Sequence, residues 1–173
     1  MPPVPVGPGD AGEMNIKYIL MAFIAGSVLI LDQVTKWIVV QTMPLYHSIE
    51  VVPRFAHITY IRNTGAAFGF LAGGRALWRI VFFSVISVLA IGCISYLLKT
   101  VRPTQKALIV SLSLILGGAL GNLVDRLRMG EVVDFLDLHW DHLHWPAFNV
   151  ADSAISIGVV LLLIQILRKE KFS

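Results

Sequence analysis

The sequence predicts an all-α membrane protein: four transmembrane helices, with a small extracytoplasmic β-element and an outer loop. Of its 173 residues, 56% are hydrophobic and 14% are charged, whereas soluble domains average about 25% charged residues. Four apolar runs are each near the roughly 17 to 25 residues that a helix needs to cross a bilayer. They lie at residues 18–40, 78–98, 107–123 and 151–167.

The N-terminal segment differs from the rest of the chain. Residues 1–13 are rich in proline and glycine and show no apolar periodicity. We expect a disordered tail here, or a remnant outside the domain if Met14 is the natural start. The first apolar run continues past Asp32 to Val40, which is too long for a secretory signal peptide. We therefore expect it to stay as an anchor, and residues 14–173 to form one four-helix domain.

The orientation is predicted from the short link and the aromatic residues. Four spans put both termini on one side, and the link at residues 99–106 carries three basic residues, which favours the cytoplasm. Basic residues are nearly balanced over the two sides as a whole. Tryptophan is enriched at membrane interfaces, and all four tryptophans fall near the opposite side: Trp37, Trp78, Trp140 and Trp145. We therefore predict a multi-pass protein with both termini in the cytoplasm.

The two long outer segments hold the expected β-element and the outer loop. Residues 51–62 are rich in valine, isoleucine, threonine and aromatic side chains with partial alternation, a pattern typical of strands. We expect a small strand pair ahead of Asn63. Residues 124–150 are interpreted as the outer loop, and long loops often carry function.

Composition excludes several functional classes. The net charge is only +3, and the basic residues are scattered or flank apolar runs, so nothing predicts a nucleic-acid partner. Cys93 is the single cysteine, which rules out a disulfide framework and a cysteine-based zinc site.

Two aspartates stand beside apolar sequence, where an ionised carboxylate is costly and usually functional. Asp134 and Asp152 have no cationic neighbour within four residues, and the chain between them holds Pro146 and can return to bring them face to face. Two carboxylates that share one proton can activate a water and protonate a leaving amine. This pattern favours an aspartyl peptidase. The alternatives are an ordinary loop acid for Asp134 and, for Asp152, a helix N-terminal acid that the macrodipole favours.

Other polar residues occur in the first and third apolar runs. Asp32 and Lys36 are four apart, so they share a helix face and are expected to form an ion pair. That pair either fixes helix packing or lets Lys36 stabilise a carboxylate elsewhere. Asp125 is adjacent to Arg126 in sequence, and we interpret it as a structural acid outside the catalytic pair, because a carboxylate paired with a cation donates protons poorly. Asn122 shares a helix face with Arg126.

The glycines of residues 117–121 form a G-x-x-x-G pattern, which lets helices pack closely in a membrane. No strand precedes it, so it does not indicate dinucleotide binding.

A dense group of acids and histidines consists of Asp137, His139, Asp141, His142 and His144. Its spacing resembles that of metal ligands, but an exposed loop at a membrane surface needs polar residues anyway, and the chain has no H-E-x-x-H motif. We predict that no metal is required.

Five motifs occur in order along the chain. They are D-Q-V-T-K at residues 32–36, N-T-G-A-A-F at 63–68, G-G-A-L-G-N-L-V-D-R at 117–126, V-V-D-F at 132–135 and F-N-V-A-D at 148–152. With these motifs the sequence resembles the lipoprotein signal peptidases, the signal peptidase II family of bacteria, over residues 15–171. Residues 136–147 match no family motif.

The resemblance implies a four-helix aspartyl endopeptidase of the bacterial inner membrane, with its active site near the outer face. Such an enzyme cuts prolipoprotein signal peptides before a diacylglyceryl-modified cysteine. The resemblance also implies prolipoprotein and membrane lipid as partners, inhibition by globomycin-type cyclic peptides, and no cofactor.

Carried over residue by residue, the catalytic pair falls on Asp134 and Asp152, and Asp125 is structural. The positions that line the substrate pocket or stabilise the site fall on Asn63, Gly65, Asn122, Arg126, Asn149, Asp32 and Lys36.

Two rival interpretations come from other classes. A small transporter or proton channel also places acids in a helix bundle, but it would more often have repeated halves, which the sequence lacks. A lipoprotein substrate is suggested by A-I-G-C at residues 90–93, but this tetrapeptide lies inside the second apolar run and far from an N-terminal signal.

Overall fold

The computed structural model describes residues 8–64, 76–140 and 143–170. The elements along the chain are α1 (Pro8–Thr42), β1 (Ser48–Val52), β2 (Ala56–Asn63), α2 (Ala76–Thr100), α3 (Lys106–Met129), β3 (Val132–Trp140), β4 (Leu143–His144) and α4 (Val150–Glu170). Each predicted apolar run lies inside one helix, and all four of these helices are long and apolar enough to cross a membrane. The predicted fold class, a four-span membrane protein with a small β-element, is confirmed.

The first helix begins earlier than predicted, at Pro8. Proline suits the first helical position because the N–H that it lacks would have no partner there. Residues 8–13 are helical, so the predicted disorder of residues 1–13 does not hold for them. Residues 1–7 lie outside the described part of the chain.

α3 is the central helix of the bundle. Of the residues in the apolar stretch of α3, 56% are buried inside the protein, against 6% for the apolar stretch of α2. α3 also contacts the other three helices. Its glycines allow this approach: a β-carbon on Gly117 would lie 2.7 Å from the carbonyl oxygen of Ala25 in α1, and one on Gly118 would collide with that of Ala151 in α4. The packing role predicted for the glycine run is therefore confirmed.

α3 also continues past its predicted end. It runs to Met129 and stops at Gly130, which adopts the left-handed conformation with φ 74° and donates its N–H to the Arg126 carbonyl oxygen. Glycine is the usual residue at this position because it has no β-carbon. The extra turns keep Asp125 and Arg126 on the helix, directly below the sheet.

The four strands form one antiparallel sheet in the order β1-β2-β3-β4. β1 and β2 confirm the predicted strand pair. Much of the outer segment at residues 124–150 has regular structure, since it holds the end of α3, β3 and β4. Alternation in β3 is hidden in the sequence by polar residues, although Val133 and Phe135 are buried against Tyr60 of β2 and Val39 of α1.

The opposite end of the bundle is fixed by a buried lysine. Lys17 of α1 is 1% exposed, and its ammonium donates to the carbonyl oxygens of Lys99, at 3.2 Å, and Val101, at 2.6 Å. A cation at a helix C-terminus satisfies carbonyls that lack helical partners. The start of α1 therefore lies beside the end of α2, and the sheet lies at the other end of the bundle.

Candidate active site

The polar residues predicted from sequence meet where the sheet joins the bundle. Asp134 lies on β3, Asp152 in the first turn of α4, and Asn63 at the end of β2. α3 contributes Asn122, Asp125 and Arg126, while α1 contributes Asp32 and Lys36. Gly65 lies outside the described residues.

Strand register places Asn63 beside Asp134. Ile61 pairs with Asp134 and Asn63 pairs with Val132 in the antiparallel ladder, so Asn63 and Asp134 are diagonal neighbours on one face. The Asn63 amide donates to Asp134 Oδ2 at 2.9 Å. Asp134 itself is 2% exposed, so its carboxylate depends on protein donors rather than on water.

The chain that leaves the sheet returns along β3 and delivers the second acid. The Phe148 carbonyl oxygen accepts hydrogen bonds from the backbone N–H groups of Phe135, at 3.0 Å, and Leu136, at 2.8 Å. The Phe148 N–H in turn donates to the Leu136 carbonyl oxygen. This pairing sets Asn149, which is fully buried, next to Asp134 and at the start of α4. The returning chain expected between the two aspartates is therefore present.

Asn149 joins the two acids through one side chain. Its amide nitrogen donates to Asp134 Oδ1 at 2.8 Å, and its amide oxygen accepts the backbone N–H of Asp152 at 2.9 Å. The second contact is that of a helix N-cap, which satisfies a donor of the first turn. The same cap therefore fixes the amide orientation that presents N–H to Asp134.

Asp152 is held from α3. The Asn122 amide nitrogen donates to Asp152 Oδ1 at 2.7 Å, while the Asn122 oxygen accepts from the Lys36 ammonium at 3.0 Å. Because an ammonium can only donate, the Asn122 oxygen must face Lys36 and its N–H₂ must face Asp152. Lys36 therefore orients the group that contacts Asp152.

Lys36 is the buried cation of this site. It is 2% exposed and lies 2.8 Å from both Asp32 Oδ2 and Asp125 Oδ2. The predicted pair with Asp32 is confirmed. Asp32 also caps α4, since its Oδ1 accepts the Ala151 N–H at 2.9 Å.

The cation that pairs with Asp125 is not the one suggested by sequence. Asp125 pairs with Lys36 and accepts the backbone N–H of Val133 at 3.2 Å, so it ties α1 to the start of β3. Arg126 instead donates to Ser87 Oγ of α2 at 3.2 Å, with its guanidinium 5.8 Å from the Phe83 ring centroid. Neighbours in a helix point in different directions, about 100° apart, which is why sequence adjacency misled.

Burial changes the acidity of Asp134. Removal from water raises its pKa above the ordinary value to about 6; the hydrogen bond from Asn63 opposes this rise, and the nearby negative charge of Asp152 adds to it. A carboxyl with such a pKa exchanges its proton near neutral pH, which suits acid–base chemistry.

Two clefts of different character open beside the acids. A cleft of about 290 Å³ reaches Asp134 and is lined by Ile61, Arg62, Asn63, Thr64, Pro146 and Ala147. An apolar cleft of about 340 Å³ reaches Asp152 and is lined by Trp145, Phe148, Ser153, Ser156 and Ile157. Each carboxylate thus borders its own opening.

Of the predicted group of acids and histidines, Asp137 and His139 lie on β3, toward the end of the strand away from Asp134. His139 is buried and stacks on His57 of β2 with ring centroids 4.5 Å apart, and His57 Nδ1 lies 3.9 Å from Asp137. Asp141 and His142 lie outside the described residues. Within residues 8–64, 76–140 and 143–170, no three His, Cys, Asp or Glu side chains are arranged to hold a metal ion.

One member of the site was missed in the sequence. Gln33 donates to Asp125 Oδ1 at 2.9 Å, to Asp32 Oδ2 at 3.2 Å and to the Gly121 carbonyl oxygen at 3.2 Å. It thereby supports both carboxylates that flank Lys36. Its place beside Asp32 in the D-Q-V-T-K motif was the available signal.

Comparisons with known proteins agree with one another. The family described as signal peptidase (SPase) II matches residues 24–168. The lipoprotein signal peptidase of Syntrophus aciditrophicus is 50% identical over 158 residues, which cover 91% of this chain and 98% of that protein. The lipoprotein signal peptidase of Geobacter sulfurreducens is 50% identical over 153 residues, which cover 88% and 94%.

Two solved structures, each described as a bacterial membrane enzyme determined by the in meso method, share the fold. The one at 2.3 Å resolution has a TM-score of 0.75 and 40% identity, and the match covers 87% of this chain and 88% of that chain. The one at 1.9 Å has a TM-score of 0.74 and 41% identity, with coverages of 85% and 92%.

Proposed function

The chain belongs to the signal peptidase II family, and from this premise we propose that it is an aspartyl endopeptidase that cuts prolipoproteins before a diacylglyceryl-modified cysteine. Membership makes it a bacterial multi-pass membrane peptidase of lipoprotein processing. The catalytic type, the catalytic residues and the position of the cut are the proposal.

One observation carries the aspartyl assignment: a single buried asparagine links the Asp134 carboxylate to the first turn of the helix that bears Asp152. Asn149 binds the Asp134 carboxylate with its amide nitrogen and the Asp152 backbone with its amide oxygen. Burial raises the pKa of Asp134 to about 6, and the nearby negative charge of Asp152 adds to the rise, because a like charge disfavours ionisation. Each acid borders a cleft that substrate can enter.

In the proposed reaction, one carboxylate takes a proton from a water as that water attacks the scissile carbonyl carbon. The protonated partner hydrogen-bonds the carbonyl oxygen and then gives its proton to the leaving amine as the C–N bond breaks. The products are a signal peptide with a new carboxylate and a lipid-modified cysteine with a free amine. We assign the acid and base roles to the pair rather than to one fixed residue.

The surrounding residues position this pair. Asn63 and Asn149 hold Asp134, while Asn122 holds Asp152 and is itself oriented by Lys36. Asp125 ties β3 to the helices and is assigned a structural role. Pre-organised donors of this kind keep both carboxylates in a productive geometry before substrate arrives.

The proposed orientation places the site near the outer face of the inner membrane and both termini in the cytoplasm. The tryptophans lie toward the sheet end of the bundle, as an interfacial belt would: Trp37 near the end of α1, Trp78 near the start of α2, Trp140 on β3 and Trp145 just after β4. The acyl chains of the substrate would lie in the bilayer, and its cysteine at the surface. Globomycin-type peptides are proposed to block the site, and neither a metal nor another cofactor takes part.

The test is cleavage of a synthetic diacylglyceryl prolipoprotein by the purified protein in detergent, with products identified by mass spectrometry. We expect one cut directly before the modified cysteine, inhibition by globomycin, and full activity in a metal chelator. A cut elsewhere would overturn the proposed specificity. Activity lost on chelation and restored by a metal ion would overturn the aspartyl assignment.

A further inference from the structure

We propose that the apolar cleft beside Asp152 is the binding site for an acyl chain of the substrate's modified cysteine, with Trp145 and Ile157 as its walls. This inference rests on the proposed function. It adds a lipid subsite, on residues that lie partly outside the family motifs, to the peptidase site.

The position of the cleft leads to this assignment. It starts at the Asp152 carboxylate and follows α4 through Ser153 and Ser156 to Ile157. The five steps along the chain from Asp152 to Ile157 advance about 7.5 Å along a helix axis. Because α4 is a membrane-spanning helix, the cleft leads from the candidate reaction centre into the depth of the bilayer.

The lining suits a hydrocarbon chain. Trp145 and Phe148 form the end at the sheet, and Ile157 is 54% exposed on the side of α4. The Ser153 hydroxyl donates a hydrogen bond to the Asn149 carbonyl oxygen at 2.9 Å, so this donor is already paired with the helix backbone. The volume of about 340 Å³ lies in the range of roughly 300 to 1,000 Å³ that is typical of small-molecule sites.

The contrast between the two clefts fixes which part of the substrate goes where. The cleft at Asp134 contains Arg62, Asn63 and Thr64, which suit a polar peptide backbone. The cleft at Asp152 is mostly apolar. A cysteine that carries acyl chains next to the scissile bond would place lipid on the Asp152 side and peptide on the Asp134 side.

The cleft would act by positioning rather than by hydrophobic transfer. A bilayer is already as apolar as leucine side chains, so a chain gains little transfer energy on entering the cleft. Holding the chain instead fixes the cysteine, and hence the scissile carbonyl, against the acids. A misplacement of about 1 Å can lower the rate on the order of a hundredfold.

The experiment compares two substrates that differ in acyl length, dipalmitoyl and dibutyryl glyceryl cysteine in the same peptide. Ser156→Phe fills the cleft and Trp145→Ala opens it. Val85→Phe is a matched control on an exposed face of α2, and Trp140→Ala removes an exposed tryptophan of β3 that does not line this cleft.

We expect Ser156→Phe to lower kcat/KM for the long-chain substrate on the order of a hundredfold, and Trp145→Ala to lower it less, with little effect of either on the short-chain substrate. Both controls should keep the wild-type ratio of kcat/KM for the long-chain substrate to kcat/KM for the short-chain substrate. An unchanged ratio in Ser156→Phe and Trp145→Ala would overturn the inference. So would a ratio that responds to the signal-peptide sequence instead of to acyl length.

A second measurement does not depend on turnover. A dipalmitoyl peptide with a photoreactive diazirine in one acyl chain is irradiated with the Asp134→Asn variant. We expect the label between Trp145 and Ile157, and label confined to α2 would overturn the inference. If the wild-type protein does not cleave the long-chain substrate at all, the proposed function is wrong. If it cleaves, but the label lies outside the cleft and the cleft variants keep the wild-type kcat/KM ratio between substrates, only the lipid subsite is wrong.

Discussion

Replacing Lys36 with methionine removes the cation that two buried acids share. The ammonium lies 2.8 Å from Asp32 Oδ2, 2.8 Å from Asp125 Oδ2 and 3.0 Å from Asn122 Oδ1. Methionine keeps an unbranched apolar stem but supplies neither charge nor donor. The substitution therefore leaves two buried carboxylates without their shared cation, and the neutral Gln33 amide remains as a donor to both.

The geometry sets the size of the effect. At 2.8 Å and an effective dielectric constant of about 20, each pair attracts by about 6 kcal/mol before the cost of burying the charges. The measured cost of breaking a buried pair by removing one partner is about 3–5 kcal/mol. For a chain of this size such a loss lowers Tm by roughly 6 to 20 °C.

The loss should also reach the chemistry. Without Lys36, the Asn122 oxygen keeps the longer hydrogen bond from the Asn149 amide nitrogen, at 3.3 Å, so the Asn122 amide is held less firmly with its N–H₂ toward Asp152. We expect kcat for prolipoprotein cleavage to fall on the order of a hundredfold. Tm is measured by thermal unfolding in detergent, and kcat is measured well below the lowered Tm.

Lys17→Met is the matched control. Lys17 is equally buried but donates to two backbone carbonyls at the far end of the bundle, where a hydrogen bond from a charged group contributes about 1.5–3 kcal/mol. It should lower Tm and leave kcat unchanged in the folded enzyme. Equal kcat values for Lys36→Met and the wild type would refute the positioning role of Lys36, and an unchanged Tm would refute the electrostatic argument.

Two further predictions concern proton exchange and helix packing. Because Asp134 has a pKa of about 6, kcat/KM should fall as the pH rises through this value and the pair loses its shared proton. Asn63→Ala removes a donor that favours the ionised form, which raises the pKa of Asp134, so this limb of the profile should move to higher pH; a shift to lower pH would contradict the assignment. Gly118→Ala places a β-carbon against the Ala151 carbonyl and should lower the free energy of unfolding by about 1–3 kcal/mol. The control Gly92→Ala meets open space on α2 and should leave that free energy unchanged. Equal Tm values for the two variants would contradict the close packing of α3 on α4.

The sequence predicts those features that depend on local pattern. Hydropathy over about 20 residues determines where a helix can cross a bilayer, so all four spans were found. Spacing of four on a helix predicts the contact between Asp32 and Lys36. Asp134 and Asp152 stand out because carboxylates beside apolar sequence are costly and need a reason to be there.

Features that depend on contacts between distant parts of the chain could not be predicted in this way. The partner of Asp125 is Lys36, far away in sequence, because α1 packs on α3 through small residues. The sequence does not predict the strand around Asp134, because its alternating pattern is broken by Asp137 and His139, whose surroundings come from β2. The double role of Asn149, as helix cap and as ligand of Asp134, exists only once β3 and the returning chain have paired.

The most direct test of the central claim is a double-mutant cycle on the two acids. Asp134→Asn, Asp152→Asn and the double variant are compared in single-turnover cleavage of the diacylglyceryl substrate, with Asp137→Asn on the same strand as the matched control and Tm measured for each. If the acids act as one unit, each single variant should lose activity on the order of 10⁴-fold or more, the double variant should lose no more than either, and Asp137→Asn should retain activity. Losses that multiply in the double variant, or substantial cleavage by either single variant, would contradict a shared aspartate pair.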